Sequence, residues 1–252
     1  MGNKSIVNLK MIVEYDGENY YGWQKQKNKN TVQGELEKAI SILFPGEKIN
    51  LHGAGRTDAG VSAYGQCANF KISKNSFRKF SCSTIIYKIN SLLPYDIAVK
   101  KISVAPEGFH ARYSAVSRTY KYFFTQCKKG IMGSKYYFIK NKFDYDKANQ
   151  FLNMITGNHS FKSLCKNKSD RHNFLCNIYS AAVKKLQFGV IEFSITANRF
   201  LHSMVRAIAG VLIKVACSDV HPEDIYKKFI NGEKIVIRYL PPGPLFLFKV
   251  NY

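Results

Sequence analysis

Carboxylates are the scarce charged groups of this chain. Seventeen Asp and Glu stand against 38 Lys and Arg, a formal charge of +21 with a pI near 9.7. Such an imbalance is a statement about partners, and it points away from cationic ones. The six cysteines, at 67, 82, 127, 165, 176 and 217, form no C-x-x-C pair, and the six histidines add no zinc-ligand spacing. That usage excludes a metal centre and reads as reduced thiols in a cytoplasmic protein. No signal peptide is read at the start. Met1-Gly2 fails as a myristoylation start, because Ile6 stands where Ser or Thr is required. The longest apolar run, Phe200 to Ala216, is broken by Arg206 and Lys214 and is short for a membrane span. A helix-turn-helix or zinc-finger signature is also lacking, which removes the usual DNA-binding regulators.

Aromatics are what the chain has in quantity: 16 Tyr and 18 Phe, spread among the lysines. Cationic surface with planar side chains suits a polyanion whose bases stack, RNA above all. The plainer explanation is a lysine-biased proteome that raises every pI. At 252 residues the chain can bury a sizeable core in one large or two modest domains.

Leu9 to Tyr15 reads as a strand closed by Asp16-Gly17. Val32, Leu36, Ile40 and Leu43 recur at helical spacing, in a helix that Asn30 or Thr31 can cap. Short strands are expected over Ile49 to His52 and Gln66 to Ile72, a helix over Ser76 to Asn90 and a strand over Ile97 to Val104. Pro106 to His110 reads as a linker. Beyond it come a long strand (Tyr113 to Thr125), a helix (Asp144 to Thr156) and a hairpin turning at Phe188-Gly189. A long helix (Asn198 to Cys217), a shorter one (Pro222 to Asn231) and a closing strand (Leu245 to Tyr252) complete the chain. Both halves, 1–106 and 107–252, thus read strand-helix-strand-strand-helix-strand, the split βαβ order of an α+β fold. Such halves cover one sheet face with helices and leave the other for a ligand.

Three stretches hold the chemistry. In His52-Gly-Ala-Gly-Arg-Thr-Asp-Ala-Gly60, the glycines allow close approach of backbone or ligand. It is no P-loop, since Val61-Ser62 replaces the lysine pair, and its glycines are misplaced for a dinucleotide fingerprint. A tight turn is the bland alternative. Asp58 is the loop's only carboxylate, and no second one can be placed beside it for glycosidase chemistry. Alone it can serve as nucleophile or base if a guanidinium keeps it ionised. Arg56 is the local candidate. Arg206 is the distant one, four residues after His202 on a helix apolar nearly all round, where a buried arginine needs an anion. Pairing with a structural carboxylate, or reaching to solvent, is the alternative for Arg206. In the third stretch, Phe109 to Tyr122, Arg118, Tyr120 and Tyr122 share one strand face. Tyr120 is there either to stack on a base or to fill the core.

Read together, these segments resemble the TruA family of tRNA pseudouridine synthases. The resemblance rests on Tyr15-Asp-Gly-Glu-Asn-Tyr-Tyr-Gly-Trp-Gln-Lys-Gln26, Thr31-Val-Gln-Gly-Glu-Leu-Glu37 and Gly53-Ala-Gly-Arg-Thr-Asp-Ala-Gly-Val61. It continues through Asn90-Ser-Leu-Leu-Pro94, Phe109-His-Ala-Arg112 and Phe200-Leu-His-Ser-Met-Val-Arg206, in the family's order over nearly the whole chain. It implies the α+β pseudouridine synthase fold: two ferredoxin-like halves forming a continuous mixed sheet around a central cleft. It further implies a cytoplasmic, cofactor-free homodimer that isomerises uridine in the anticodon stem-loop of tRNA, around positions 38 to 40. Asp58 matches the catalytic aspartate, Tyr120 the active-site tyrosine and Arg206 the aspartate's basic partner, while Arg56 lies beside the flipped nucleotide. Three positions depart from the pattern: Ser62 replaces a usual histidine, Cys176 begins a segment that often opens with arginine, and Ala207 replaces a usual asparagine. The rival reading is an RNA-binding protein or RNA chaperone that keeps the fold without the chemistry.

Overall fold

A computed structural model describes residues 5–166 and 173–252, so the Met1-Gly2 start lies outside the described residues. The chain divides into two compact units, residues 1–116 with 247–252 and residues 117–246. Among the described residues, no helix is long and apolar enough to cross a membrane.

The first unit opens with β1 (Ile6–Tyr15), whose Leu9, Met11, Val13 and Tyr15 alternate into the core. Helix α1 (Val32–Leu43) follows, started by the Thr31 hydroxyl accepting from the Gly34 N–H. Then come β2 (His52–Gly53), β3 (Ser62–Ser73), a single turn α2 (Lys74–Phe77), α3 (Cys82–Asn90) and β4 (Ile97–Ala105). Strand β1 runs antiparallel to both β3 and β4, and β2 pairs antiparallel with the other side of β3. Leu36 and Ile40 of α1 and Ile85 and Ile89 of α3 are fully buried, as expected of helices laid on a sheet.

Two expectations are corrected here. Residues 49–51 form no strand, because the Leu51 backbone bonds to helix side chains: its N–H donates to Glu37 and its carbonyl accepts from Gln33. The single helix expected over 76–90 is two, because the Ser81 hydroxyl caps a fresh start by accepting from the Thr84 N–H.

The second unit begins with β5 (Ser117–Thr125), not at Tyr113, and continues through β6 (Tyr137–Phe138), α4 (Tyr145–Met154) and β7 (Gly157–Ser160). Strands β8 (Leu175–Lys185) and β9 (Val190–Ala197) form the expected hairpin. Phe188 and Gly189 both take positive φ at its tip, 57° and 69°, the two-residue turn that matches strand twist. Strand order within the unit is β5-β9-β8-β7, all antiparallel, with β6 parallel to β5.

Helices α5 (Met204–Ala216) and α6 (Pro222–Ile230) precede the closing strand β10 (Leu245–Asn251). Residues 198–203 are not helical, contrary to the long helix read from sequence. The Asn198 side chain accepts from the Asn177 and Arg199 N–H groups, and Ser203 sits at φ 56°, a left-handed start to α5. Within the second unit Phe246 packs edge-on against Phe123 of β5, and within the first the residues from Leu247 onward lie beside β3.

Candidate active site

Asp58 sits half-buried in the loop between β2 and β3, and that loop is tied down from several sides. The Val61 N–H donates to the Asp58 carbonyl at 3.1 Å, closing a turn at the carboxylate. Thr57 is buried and its hydroxyl bonds the Tyr15 hydroxyl at 2.8 Å, while its carbonyl accepts from the Trp23 N–H. The Gly60 N–H donates to the Tyr20 carbonyl, and fully buried Gln66 donates from Nε2 to the Gly55 carbonyl at 3.0 Å. Gly53 has no room for a side chain, since a Cβ would meet Trp23 Nε1 at 2.4 Å. Gly22 needs its lack of Cβ twice over, for φ 86° and for the Thr57 carbonyl 2.5 Å from where that Cβ would stand.

Behind this loop lies a polar network that sequence reading did not foresee. Gln33 and Glu37, one turn apart on α1, are both buried. Gln33 donates to Glu37 and to the Leu51 carbonyl, and accepts from the Gln24 side chain and the Lys25 N–H. Glu37 takes the Leu51 N–H and an ion pair from Lys25 at 2.8 Å. The Trp-Gln-Lys segment and the strand leading to the loop thus share one anchor. The signal was visible as Gln33-x-x-x-Glu37, a four-residue spacing that puts two polar groups on one helix face.

Arg56 is exposed and donates from Nε to Gln24 Oε1 at 3.2 Å, which orients its guanidinium along the loop's outer side. Ser62 is buried and structural: its hydroxyl accepts from the Gly17 N–H at 3.0 Å and bonds Asp16 at 3.2 Å. It therefore seals the Asp16-Gly17 turn, where a Gly17 Cβ would strike the Val61 carbonyl.

Tyr120 and Arg206 belong to the second unit. Tyr120 is 8% exposed and meets Phe200 edge-to-face, with ring centroids 5.1 Å apart. It shares its strand face with Tyr122 and Phe124, which are fully buried, so this face packs into the core. Arg118, on the same face by strand alternation, donates from Nη1 to the Asn198 carbonyl at 2.7 Å. Arg206 is half-buried in the first turn of α5 and donates from Nε to the Leu240 carbonyl at 2.6 Å. Its positive charge is felt at Tyr122, whose hydroxyl pKa is raised chiefly by burial and pulled partly back by Arg206. One turn on, Gly210 lets the Arg238 carbonyl in where a Cβ would stand. His202 lies before the helix, so the expected His202–Arg206 helical face does not exist. Ala207 and Cys176 are both fully buried.

No cluster among the described residues has the groups to hold a metal ion. The geometry supplies one carboxylate on a rigid loop, a guanidinium beside it in sequence, and aromatic surface, which suits acid–base or nucleophilic work on an organic substrate.

The comparisons with known proteins agree in kind. A family profile described as tRNA pseudouridine synthase matches residues 11–114 and 152–252. The tRNA pseudouridine synthase A of Caldicellulosiruptor bescii is 38% identical over 248 residues, covering 97% of this chain and 99% of that one. That of Dictyoglomus thermophilum is 37% identical over 252 residues, covering 98% and 100%. Among solved structures, a chain of a Cbf5-Nop10-Gar1 complex matches at a TM-score of 0.34 and 12% identity. That match covers 81% of this chain and about half (54%) of the other.

Proposed function

The chain belongs to the tRNA pseudouridine synthase family, isomerases acting on uridine in tRNA, and from that premise we propose which residues and which uridines are involved. Asp58 is the catalytic carboxylate, and the targets are uridines of the anticodon stem-loop, around positions 38 to 40. The protein works as a homodimer in the cytoplasm and needs no cofactor.

The observation that supports this reading is the fixed loop. A stacked uridine must first be turned out of the helix, at about a few kcal/mol, into a pocket already shaped for it. Asp58 has such a pre-set position, because the backbone on both sides of it is hydrogen-bonded to groups of the first unit. Arg56, on the loop's outer side, fills the space the base leaves. Tyr120 takes the role of the ring that stacks on the uracil, and Arg206 that of the basic residue serving the aspartate, as the family resemblance implies.

Asp58 then starts cleavage of the bond between the sugar and ring nitrogen. The detached uracil turns, and its 5-position bonds to the same sugar carbon, after which the proton at that position is lost. The proton lost from the 5-position is matched by one taken up at the vacated ring nitrogen, so the product is an isomer of the substrate. A closed site favours recombination by holding both fragments together and excluding water. The surplus of lysines meets the tRNA backbone, so binding weakens steeply with salt.

Tritium release from tRNA carrying 5-tritiated uridine tests the assignment, with wild type and Asp58→Asn in parallel. Wild type is expected to release label and the variant to lose at least about a hundredfold in rate while still binding tRNA. Release by Asp58→Asn at the wild-type rate overturns the role of Asp58. Binding without release from any tRNA favours the RNA-chaperone reading.

A further inference from the structure

A second feature of the first unit, outside the residues given roles above, has the make-up of an RNA contact. A cavity of about 370 Å³ opens between the end of β2 and the Pro106–His110 turn, within the size range of pockets that take small ligands. Lys48, Asn50, His52, Lys71 and His110 line it, with buried Asn69 among them. Glu107 is its one carboxylate, so two lysines leave the lining net positive. Neither Lys48 nor Lys71 has an ion pair among the described residues, and both are exposed.

The cavity is built and not incidental. Asn69 donates to Asn8 at 2.9 Å and accepts from the Ala111 N–H at 2.8 Å. Asn8 in turn donates to the Pro106 and Phe109 carbonyls, which fixes the turn as a wall. What reads as a linker in sequence is thereby locked to β1 and β3.

One side of the cavity is a column of rings. His52 and His110 lie 4.7 Å apart between centroids, and His110 and Tyr113 4.5 Å, both pairs tilted by less than 40°. The column ends on Tyr113, which is 77% exposed. His110 Nδ1 accepts from the Arg112 and Tyr113 N–H groups, so the ring's proton sits on Nε2. That Nε2–H has no partner among the described residues. Burial, then the neighbouring His52, Arg112 and Lys71, push the His110 pKa below its ordinary value, which favours the neutral ring.

We propose that this cavity is a second anchoring point for the tRNA: Lys48, Lys71 and the His110 Nε2–H take a backbone phosphate, and the open face of Tyr113 receives the adjoining unpaired base. The proposal rests on the tRNA reading above. Phosphate contacts of this kind set register without reading sequence, and an unpaired base stacking on an exposed ring is the usual mode of RNA recognition. A free nucleotide fits less well, because the column leads out of the cavity onto an exposed ring and offers no closing side.

The test is affinity of full-length tRNA for the whole protein across a salt series, with tritium release at saturating tRNA alongside. Lys48→Ala/Lys71→Ala is expected to weaken binding about tenfold and to lower the salt slope by about one. Tyr113→Ala is expected to weaken binding about tenfold with the slope unchanged. His110→Asn keeps an acceptor for the loop N–H groups and is expected to weaken binding without loss of fold. Lys79→Ala, the same charge change outside the cavity, provides the reference. If the double variant and Tyr113→Ala bind as Lys79→Ala does, while wild type releases tritium, the cavity is no RNA contact. If wild type binds tRNA and releases no tritium, yet the cavity variants lose binding, the anchoring point stands and the catalytic reading falls.

Discussion

The Asp58 loop and the Arg206 turn solve the same task, holding one charged side chain still, in different ways. Around Asp58 the backbone is caught from β1, the Trp23 segment and β3, so its position is the sum of several modest bonds. Arg206 is held by its helix and by the Leu240 backbone, whose carbonyl accepts from Nε and whose N–H donates to the Arg206 carbonyl, in an irregular strap between α6 and β10. Redundant anchoring tolerates the loss of any one tie and fails when its space is invaded. Glycine makes both possible, Gly22 and Gly53 at the loop and Gly210 at the strap.

This contrast can be broken or sharpened by mutation. Gly22→Ala invades the loop with a side chain at positive φ and against the Thr57 carbonyl. It should cost about 3 kcal/mol and abolish tritium release, as calorimetry and the release assay would show. Gly210→Ala pushes the Arg238 carbonyl away. Alanine's better helix propensity offsets part of that, leaving a loss of about 2 kcal/mol in a denaturant titration. Arg206→Lys keeps a charge but cannot both bond the Leu240 carbonyl and present a planar fork, so turnover should fall about tenfold with little change in melting temperature. Gln66→Ala removes one of the loop's ties. About 1 kcal/mol of stability should be lost while turnover stays within about threefold of wild type. A larger fall in turnover for Gln66→Ala than for Arg206→Lys would show that the loop is not redundantly held.

Periodicity and capping made much of the fold legible. Strands β1 and β4 and helices α1 and α6 lie within a few residues of their expected limits, because alternation, helical spacing and cap residues are local signals. Where the reading failed, a side chain had taken a backbone partner from elsewhere. Ser81 restarts a helix, Asn198 ends a strand, and Gln33 with Glu37 takes the Leu51 backbone out of strand pairing. The candidate site residues were legible in the sequence and their support was not. Asp58, Arg56, Tyr120 and Arg206 stand out by chemical type. Gln66 and Ser62 look like ordinary strand residues until the carbonyl and N–H they satisfy are known. The role of His110 likewise needs its ring partners, which come from β2 and from the turn after it.

Strand β10 sets a schedule for biosynthesis. The first unit reaches Val116 early in translation, yet its sheet waits for residues 247–252, made only after the entire second unit. The Val116 N–H is satisfied by the Asn251 carbonyl, and the Ala111 carbonyl receives the Tyr252 hydroxyl. A nascent chain still lacking residues 247–252 therefore has β3 without its β10 neighbour, an edge open to unwanted pairing. Residues 247–252 thus finish a sheet whose other strands are made long before them.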